Sequence, residues 1–231
     1  MTVTETLRRL QGVLVQRFGH MPRAETDRRD PEWSLVQGLI GSRMPSEASS
    51  AVADRLLAEC GSWDAVAALP LDVLATKLKG VRFPNQSAKR VHGVLGAIRE
   101  RVGKVDLSPL AAMETEEALA WIEALPGAGR KIAAQVVNTT TLERPALVLD
   151  THHLRILGRL GLVGPSDQTA KAYDTITPDL PPEWDARAID EHHRLMKELG
   201  REICTPTEPD CPDCPALSLC PTGQARVGGL G

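Results

Sequence analysis

The chain has 231 residues, of which 42% are hydrophobic and 3% aromatic, and its formal net charge is −3. This length can bury one large core or two small ones, built mainly from aliphatic side chains. A negative net charge argues against binding nucleic acid over the whole surface, although residues 77–104 carry eight Lys and Arg residues against one Glu. No apolar run approaches the ~20 residues that span a bilayer, and residues 1–18 lack the apolar stretch of a signal peptide, so we expect a cytoplasmic protein.

The first half of the chain predicts a series of helices. Apolar residues recur at helical spacing over residues 4–18, from 31 to about 43, from 46 onwards, around 62–68 and 71–78, and over 87–102 and 116–124. Asp30 is expected to cap the second of these helices, with Pro31 in its first position, and Ser46 to cap the third. Residues 81–86, which include Phe83, form a predicted loop.

The second half continues the helical pattern. Helices are predicted from Arg130 onwards, over residues 151–162 and from about 183 to 203, with a proline-rich break at residues 178–182. The glycine-rich residues 223–231 are predicted to form a tail without regular structure. Because no segment alternates apolar and polar residues over the length of a strand, the predicted fold is all-α.

Residues 125–150 carry the strongest functional pattern, LPGAGRKIAAQVVNTTTLERPALVLD. Gly127 and Gly129 allow a sharp backbone turn and a close approach by another molecule. The next helix has peptide N–H groups without helical partners in its first turn, and such groups bind phosphate oxygens. Lys131 lies in this first turn, and Asp150 is expected to cap the helix that follows it.

The sequence LPGAGRK, followed about twenty residues later by LDTH, resembles the helix-hairpin-helix and Gly-Pro-Asp segment of the endonuclease III family of DNA glycosylases. The resemblance extends from roughly Asp30 to Cys220. It implies that Lys131 is the catalytic nucleophile and Asp150 the second catalytic group. Each residue also has an ordinary alternative, because a lysine in a helix is usually a solvated charge and an aspartate before a helix is usually only a cap.

Four of the five cysteines lie near the end of the chain with the spacing C-x6-C-x2-C-x5-C, at Cys204, Cys211, Cys214 and Cys220. In a reducing compartment such a group indicates metal binding rather than disulfides. Four thiolates can hold zinc or a [4Fe–4S] cluster, and their spacing alone does not separate the two. The resemblance implies the [4Fe–4S] cluster. The loop TPTEPD between the first two cysteines departs from the family, because it carries acidic residues and no Lys or Arg.

The resemblance also implies two helical domains with a cleft between them. Residues 30–145 would form a central bundle that contains the helix-hairpin-helix, and residues 1–29 and 146–231 a discontinuous iron–sulfur cluster domain. Lys131 and Asp150 would face each other across the cleft. We expect the protein to act as a monomer.

The expected partner is double-stranded DNA that contains a damaged base or an abasic site. Peptide groups near Gly127, Gly129 and Arg130 would hold the phosphate backbone without reading sequence. By resemblance, Arg43 stands where a glutamine enters the duplex, and Phe83 matches a leucine wedge. The alternatives are a surface charge for Arg43 and a core position for Phe83.

These features predict a base excision repair glycosylase with abasic-site lyase activity, acting on oxidised or damaged pyrimidines near the nucleoid. Lys131 would attack C1′ of the sugar as a neutral amine, a form that desolvation and the helix N-terminus would favour. A glycosylase without such a lysine uses water and leaves the strand intact, so Lys131 argues against an adenine-mismatch enzyme. The alternatives are a mismatch-directed uracil, thymine or adenine glycosylase and a non-catalytic iron–sulfur DNA-binding protein.

The chain has two adjacent histidine pairs, His152-His153 shortly after Asp150 and His192-His193 in the last long predicted helix. His152 has the strongest functional claim, because it belongs to the Thr-His match that follows Asp150. For all four histidines, however, we expect packing or surface hydrogen bonds rather than catalysis.

Overall fold

The computed structural model describes residues 1–164 and 169–229. Within these residues the chain is helical and has no strand, which confirms the all-α prediction. The helices are Val3–Phe18 (α1), Pro31–Ile40 (α2), Ser46–Cys60 (α3), Trp63–Ala67 (α4), Leu71–Lys77 (α5), Pro84–Val102 (α6), Thr115–Glu123 (α7), Arg130–Thr139 (α8), Thr151–Arg159 (α9), Thr169–Ile176 (α10), Ala186–Glu202 (α11) and Pro221–Gly228 (α12). No helix among them is long and apolar enough to cross a bilayer.

The helices group into two compact units. One unit comprises Glu25–Ala146, and the other comprises Met1–Ala24 together with Leu147–Gly231. The first therefore contains α2 to α8, and the second contains α1 and α9 to α12. That residues 30–145 form one domain, and residues 1–29 and 146–231 a second, discontinuous domain, stays a prediction.

The unit of residues 25–146 is held together where α2 meets α8. A Cβ atom on Gly38 would lie 3.3 Å from Cγ2 of Ile132, so the small residue lets the two helices approach closely. An amide hydrogen bond crosses the same contact, because Gln135 Nε2 donates to Gln37 Oε1 at 2.7 Å, and Gln37 Nε2 in turn donates to Ser49 Oγ of α3 at 2.8 Å. The start of α8, which carries the predicted hairpin, is thereby fixed to a rigid support.

The discontinuous unit is built around α1 and α11. Its core consists of aliphatic side chains with almost no exposure, including Leu7, Leu10 and Leu14 of α1 and Leu195 of α11. Arg23 also forms a two-pronged ion pair with the buried Asp190, with N–O distances of 2.7 and 3.0 Å. The first residues of the chain are thereby tied to a helix near its end.

Two predicted helix starts in the first half are wrong. Ser46 is the first helical residue of α3 and Pro45 occupies the cap position, because the fixed φ of proline suits a chain about to enter a helix. Helix α6 begins at Pro84 rather than at residue 87, since proline is favoured in the first helical position, where no N–H is needed. Asp30 does lie at the cap position of α2, but its side chain makes no capping hydrogen bond.

The second half holds two helices that the sequence patterns did not predict. Helix α10 precedes the proline-rich break, and α12 lies where an irregular tail was expected. That expectation was wrong because Pro221 starts α12 and the Cys220 side chain accepts the Gly223 N–H at the cap position. Residues 230 and 231 of the expected tail lie outside the described residues. Helix α11 also begins three residues later than predicted, at Ala186, after the cap residue Asp185.

Candidate functional site

The segment between α7 and α8 forms a tight turn. Gly127 has φ +88°, a left-handed conformation that glycine adopts without strain. The next glycine, Gly129, is the cap residue of α8, and a Cβ atom there would meet nothing within 4 Å. The start of α8 is therefore open to an approaching molecule on the side of Gly129.

An arginine that the sequence patterns did not single out supports this turn. Arg90 of α6 donates from Nη2 to the Gly127 carbonyl at 2.9 Å and from Nη1 to the Leu39 carbonyl at 3.2 Å. It therefore joins the turn to α2 and α6. The basic composition of residues 77–104 was visible in the sequence, but the long-range contact of this one arginine was not.

Lys131 lies in the first turn of α8 and is exposed. The neutral amine expected at this position stays a prediction. Neighbouring Arg130 forms ion pairs with Glu123 at 2.9 Å and with Glu116 at 3.3 Å. Arg130, the first residue of α8, is thus held by two carboxylates of α7.

Arg43 and Phe83 lie in two loops that meet in the structure. The backbone N–H of Arg82 contacts Sδ of Met44 at 3.3 Å, which places the residues that follow Arg43 beside those that precede Phe83. Arg43 is exposed and has φ +56°, an unusual value for a residue with a side chain. Phe83 is 41% exposed, so the alternative of a core position for this ring is excluded.

Asp150 caps α9 as predicted. Its Oδ1 atom accepts the backbone N–H of His152 at 2.8 Å and that of His153 at 3.0 Å. The Nδ1 atom of the His153 ring lies 3.3 Å from the same oxygen. Among the described residues, all contacts of the carboxylate go to Oδ1 and none to Oδ2. One oxygen is therefore anchored while the other can meet a ligand.

The imidazole beside Asp150 belongs to His153, and the sequence patterns favoured His152 instead. The His153 ring is buried, stacks on His193 with ring centres 4.9 Å apart, and meets His192 edge-on at 5.9 Å. His152 packs against Gly200, where a Cβ atom would lie 2.5 Å from its Nδ1. The spacing of three residues between Asp150 and His153 within one helical turn was the available signal for this contact.

The electrostatics of this cluster hold the Asp150 carboxylate in its charged form. Burial raises the pKa of Asp150, but the side-chain and backbone hydrogen bonds from His153 outweigh it, and the net pKa lies well below its usual range. Burial lowers the pKa of His193 to about 3 and that of His192 well below its ordinary value. Because His192 and His193 are uncharged at neutral pH, the support for Asp150 there comes chiefly from hydrogen bonds.

The ligand atoms of Asp150, His153 and His193 all lie within 4.8 Å of one another, as they would in a metal site. The two imidazole planes, however, are stacked and differ by only 7°. A metal ion lies in the plane of each imidazole that binds it, and two stacked parallel rings do not share such a position. Nδ1 of His193 also contacts the Val148 carbonyl at 3.0 Å. This geometry favours a hydrogen-bonded cluster over a metal site.

The four clustered cysteines line one partly open cavity. None forms a disulfide. The cavity is also lined by Arg159, Ile203, Pro209, Asp210, Leu217, Thr222 and Gly223. Burial raises the pKa of the Cys214 thiol to about 11 and also raises that of Cys220. Bound metal would supply the positive charge that thiolates at this place need.

Two arginines of α9 hold the cysteine loop. Arg159 donates to Cys204 Sγ at 3.0 Å and to the Thr205 carbonyl at 2.7 Å. Arg155 donates to the Cys204 carbonyl at 2.8 Å and to the Gly200 carbonyl at 2.7 Å. Their spacing of four residues places them on one face of α9, and this was the only sequence signal for their shared role.

The chain is similar in sequence and fold to known DNA glycosylases. The chain is 32% identical over 160 residues to endonuclease III of Bacillus subtilis, a match that covers 69% of this chain and 66% of the relative. It is 27% identical over 219 residues to endonuclease III of Thermotoga maritima, covering 94% of this chain and 92% of the relative. No family model matches the chain.

A solved structure agrees with these relatives. The protein chain of a non-covalent endonuclease III–DNA complex superposes with a TM-score of 0.78 and 25% identity, covering 99% of this chain and 100% of that chain. The fold and its hairpin thus define a helix-hairpin-helix protein of the DNA glycosylase class. Within that class, the chain belongs to the endonuclease III family.

Proposed function

We propose that this protein is a base excision repair DNA glycosylase with abasic-site lyase activity, acting on oxidised or damaged pyrimidines in double-stranded DNA. The observation that carries the proposal is an exposed lysine, Lys131, in the first turn of the helix that follows the glycine turn. A protein that only binds DNA does not need an amine at this place. Membership of the endonuclease III family supports the same activity.

The proposed reaction begins when a damaged nucleotide leaves the duplex, because its glycosidic bond is inaccessible inside the stack. The Lys131 amine attacks C1′ of the sugar, the bond from C1′ to the base breaks, and the base leaves with a proton. The nitrogen lone pair then forms the C1′=N bond of a Schiff base as the C1′–O4′ bond of the sugar ring breaks, and O4′ takes up a proton. Loss of a proton from C2′ breaks the bond to the 3′ phosphate oxygen, and hydrolysis of the Schiff base releases the enzyme.

Asp150 is proposed as the second catalytic group. Its carboxylate is charged at neutral pH and has one oxygen without a contact from the described residues. A fixed negative charge stabilises the positive charge that develops on the sugar as the base leaves. The N-terminus of α8 disfavours a protonated amine at Lys131, and DNA that covers this exposed side chain would add desolvation.

Contacts with DNA are proposed for the hairpin and for the two adjoining loops. The peptide groups near Gly127, Gly129 and Arg130 would hold a phosphate. Phe83 would replace the displaced nucleotide in the stack, and Arg43 would face the orphaned base. Both side chains are exposed, as such a role requires.

The cysteines are proposed to hold a [4Fe–4S] cluster. Four thiolates around one zinc ion, with Zn–S bonds of about 2.3 Å, would lie about 3.8 Å from one another. Among the described residues no three of the four sulfur atoms lie within 4.8 Å of one another. A four-iron cluster spaces its ligands more widely, because each thiolate binds a different iron. The cluster would stabilise the polypeptide around it, and a monomer would suffice for the whole reaction.

A mismatch-directed glycosylase is the second candidate, because Arg43 and Phe83 differ from the residues of the family at the gap-filling positions. The proposal is tested with a panel of duplexes that each contain one damaged or mismatched base, assayed separately for base release and strand cleavage. Damaged pyrimidines should be released and the strand nicked. Release only from mismatches, without nicking, would favour the second candidate.

Borohydride trapping on abasic DNA separates the proposed enzyme from a non-catalytic binding protein. A Schiff base would be reduced to a stable covalent adduct, whereas a binder would give none. Metal analysis of protein prepared without oxygen should find about four irons per chain with matching sulfide. One zinc per chain, without iron, would overturn the cluster assignment.

A further inference from the structure

The contact between His153 and Asp150 is not needed to form the helix. The two backbone N–H bonds to Oδ1 already cap α9, at 2.8 and 3.0 Å. The His153 ring adds a third contact to the same oxygen from the side, at 3.3 Å. Its side chain is only 1% exposed, so the ring is fixed by packing. A buried polar ring in this place needs a function beyond filling space.

The tautomer of His153 follows from its surroundings. Nδ1 faces a carboxylate oxygen, which only accepts hydrogen bonds, so Nδ1 must carry a proton. Nε2 is buried and has no hydrogen-bond partner in the described part of the chain. An unpaired buried polar atom costs free energy, and an apolar residue of similar size would avoid that cost. The ring therefore offers no obvious gain in stability.

The rings around His153 leave it little freedom to turn. His193 stacks on it with planes 7° apart, and His193 itself contacts the Val148 carbonyl at 3.0 Å. Because Val148 lies two residues before Asp150, the same stack also fixes the backbone that leads to the carboxylate. The Nδ1–H group of His153 consequently has one direction available, toward Oδ1.

We propose that His153 is a positioning residue for Asp150: its Nδ1–H group fixes the carboxylate so that Oδ2 stays free for the reacting sugar. This inference rests on the proposed function, since Asp150 acts on the sugar in that scheme. A carboxylate held only by two backbone groups can still rotate about its Cβ–Cγ bond. A third donor from the side restricts that rotation and stabilises the negative charge.

Titratable groups from two helices lie around Asp150. His152 and His153 belong to α9, and His193, with Asp190 and His192 close to it, belongs to α11. Of these, only His153 bonds to the Asp150 carboxylate through its ring. A variant at position 153 therefore tests this contact without removing another side-chain contact to Asp150.

The test compares His153→Leu with His153→Asn. Leucine removes the donor at similar volume, and the asparagine amide nitrogen replaces Nδ1. In single-turnover base release, His153→Leu should be about tenfold slower at neutral pH, and the acid limb of its pH profile should move to higher pH. His153→Asn should recover most of the rate and return the acid limb toward that of the unaltered protein.

His192→Leu is the matched control, because it removes another buried histidine of this cluster, whose ring meets His153 edge-on and whose Nδ1 bonds to Gln11 rather than to Asp150. It should leave the rate and its pH profile unchanged. Equal losses in the leucine and asparagine variants at position 153, in proportion to lowered melting temperatures, would show that His153 only packs. An unchanged rate and profile in His153→Leu would also overturn the inference.

A measurement without substrate separates this inference from the proposed function. The Asp150 carboxyl carbon can be followed by NMR during acid titration. Its midpoint should move to higher pH in His153→Leu and return in His153→Asn. If the unaltered protein releases no base from any duplex, the proposed function fails, yet this titration still decides the positioning role: an unmoved midpoint in His153→Leu overturns it.

Discussion

Helices α8 and α9 begin in opposite ways. Helix α8 follows Gly129, which has no side chain with which to cap it, and a Cβ atom there would meet nothing within 4 Å. Helix α9 follows Asp150, whose own carboxylate accepts two N–H groups of the first turn. The first helix start is open to an anion from outside, and the second already holds an anion of its own.

The N-terminus of a helix can therefore either bind an anion from outside or hold a carboxylate of its own chain. At an open helix start the partial positive charge is available to a phosphate and disfavours a protonated amine beside it. At a capped start the N–H groups of the first turn, together with the His153 ring, keep a carboxylate ionised even though it is largely buried. The exposure of the two side chains differs in the same way: Lys131 at the open helix start is exposed, and Asp150 at the capped start is 15% exposed.

The largest expected effect comes from removing the amine at the open helix start. Lys131→Gln should abolish borohydride trapping and strand cleavage, because no other group supplies the Schiff base. Binding to abasic DNA should stay within about threefold, since one surface cation contributes little beside the backbone contacts. Trapping gels and binding titrations on the same duplex measure both.

Lys104→Gln is the matched control for this change. It removes the same charge from the same unit, at a side chain that is 67% exposed and paired with Asp106. Trapping should be unaffected. Continued trapping by Lys131→Gln would show that the nucleophile is another residue. The open start of α8 would then have no part in the covalent chemistry.

The second effect concerns the capped helix start. Asp150→Asn should slow base release about 100-fold, because an amide does not balance positive charge on the sugar. The melting temperature should change by less than about 3 °C, since asparagine caps helices about as well as aspartate. Asp185→Asn, at the cap of α11, is the control and should change neither quantity. If Asp150→Asn loses activity only in proportion to its stability, Asp150 is a cap alone.

A change at Phe83 tests whether the loop before α6 contacts DNA, as is proposed for the open start of α8. Phe83→Ala should weaken processing of duplex DNA about fivefold and of single-stranded DNA hardly at all, because only the duplex needs its stack refilled. Its 41% exposure predicts little change in melting temperature. Leu71→Ala, at a similarly exposed apolar residue, controls for lost surface area. Equal losses on both substrates would contradict a wedge.

The smallest effect is a difference in acid sensitivity. The folded state lowers the pKa of Asp150, so the stability that its carboxylate contributes is present above the unfolded pKa of about 3.9 and is lost as the pH falls through the folded value. Between pH 5 and pH 2 the unaltered protein should lose about 1 kcal/mol more than Asp150→Asn. Urea unfolding at several pH values measures the difference. Parallel pH curves for the two proteins would show that the cap is not electrostatic.

Much of the fold was accessible from the sequence, because most helices show the spacing of apolar residues that packing on one face requires. The failures have local causes. Pro84 extended α6 beyond its apolar pattern, and α12 depends on a cysteine side chain as its cap, which no propensity anticipates. Helix α10 is short, and only three of its residues are buried.

The site was predictable only where it is continuous in sequence. The glycine turn, Lys131 and the cap at Asp150 follow from one stretch of 26 residues. The supporting contacts join residues that are far apart, such as Arg90 with the Gly127 carbonyl and His193 with the ring of His153. Such pairs depend on how helices pack, and spacing along one helix does not reveal them. The roles of these residues in catalysis stay predictions.

The discontinuous unit has a consequence for the order in which the protein is made. Residues 25–146 are contiguous and can complete their core as soon as they have been translated. Helix α1 is synthesised first, but its buried leucines pack against α11, whose residues follow about 170 positions later. Until α11 emerges from the ribosome, that apolar face has no native partner and is exposed to aggregation. Slow translation or loss of chaperones should therefore harm this unit before the other.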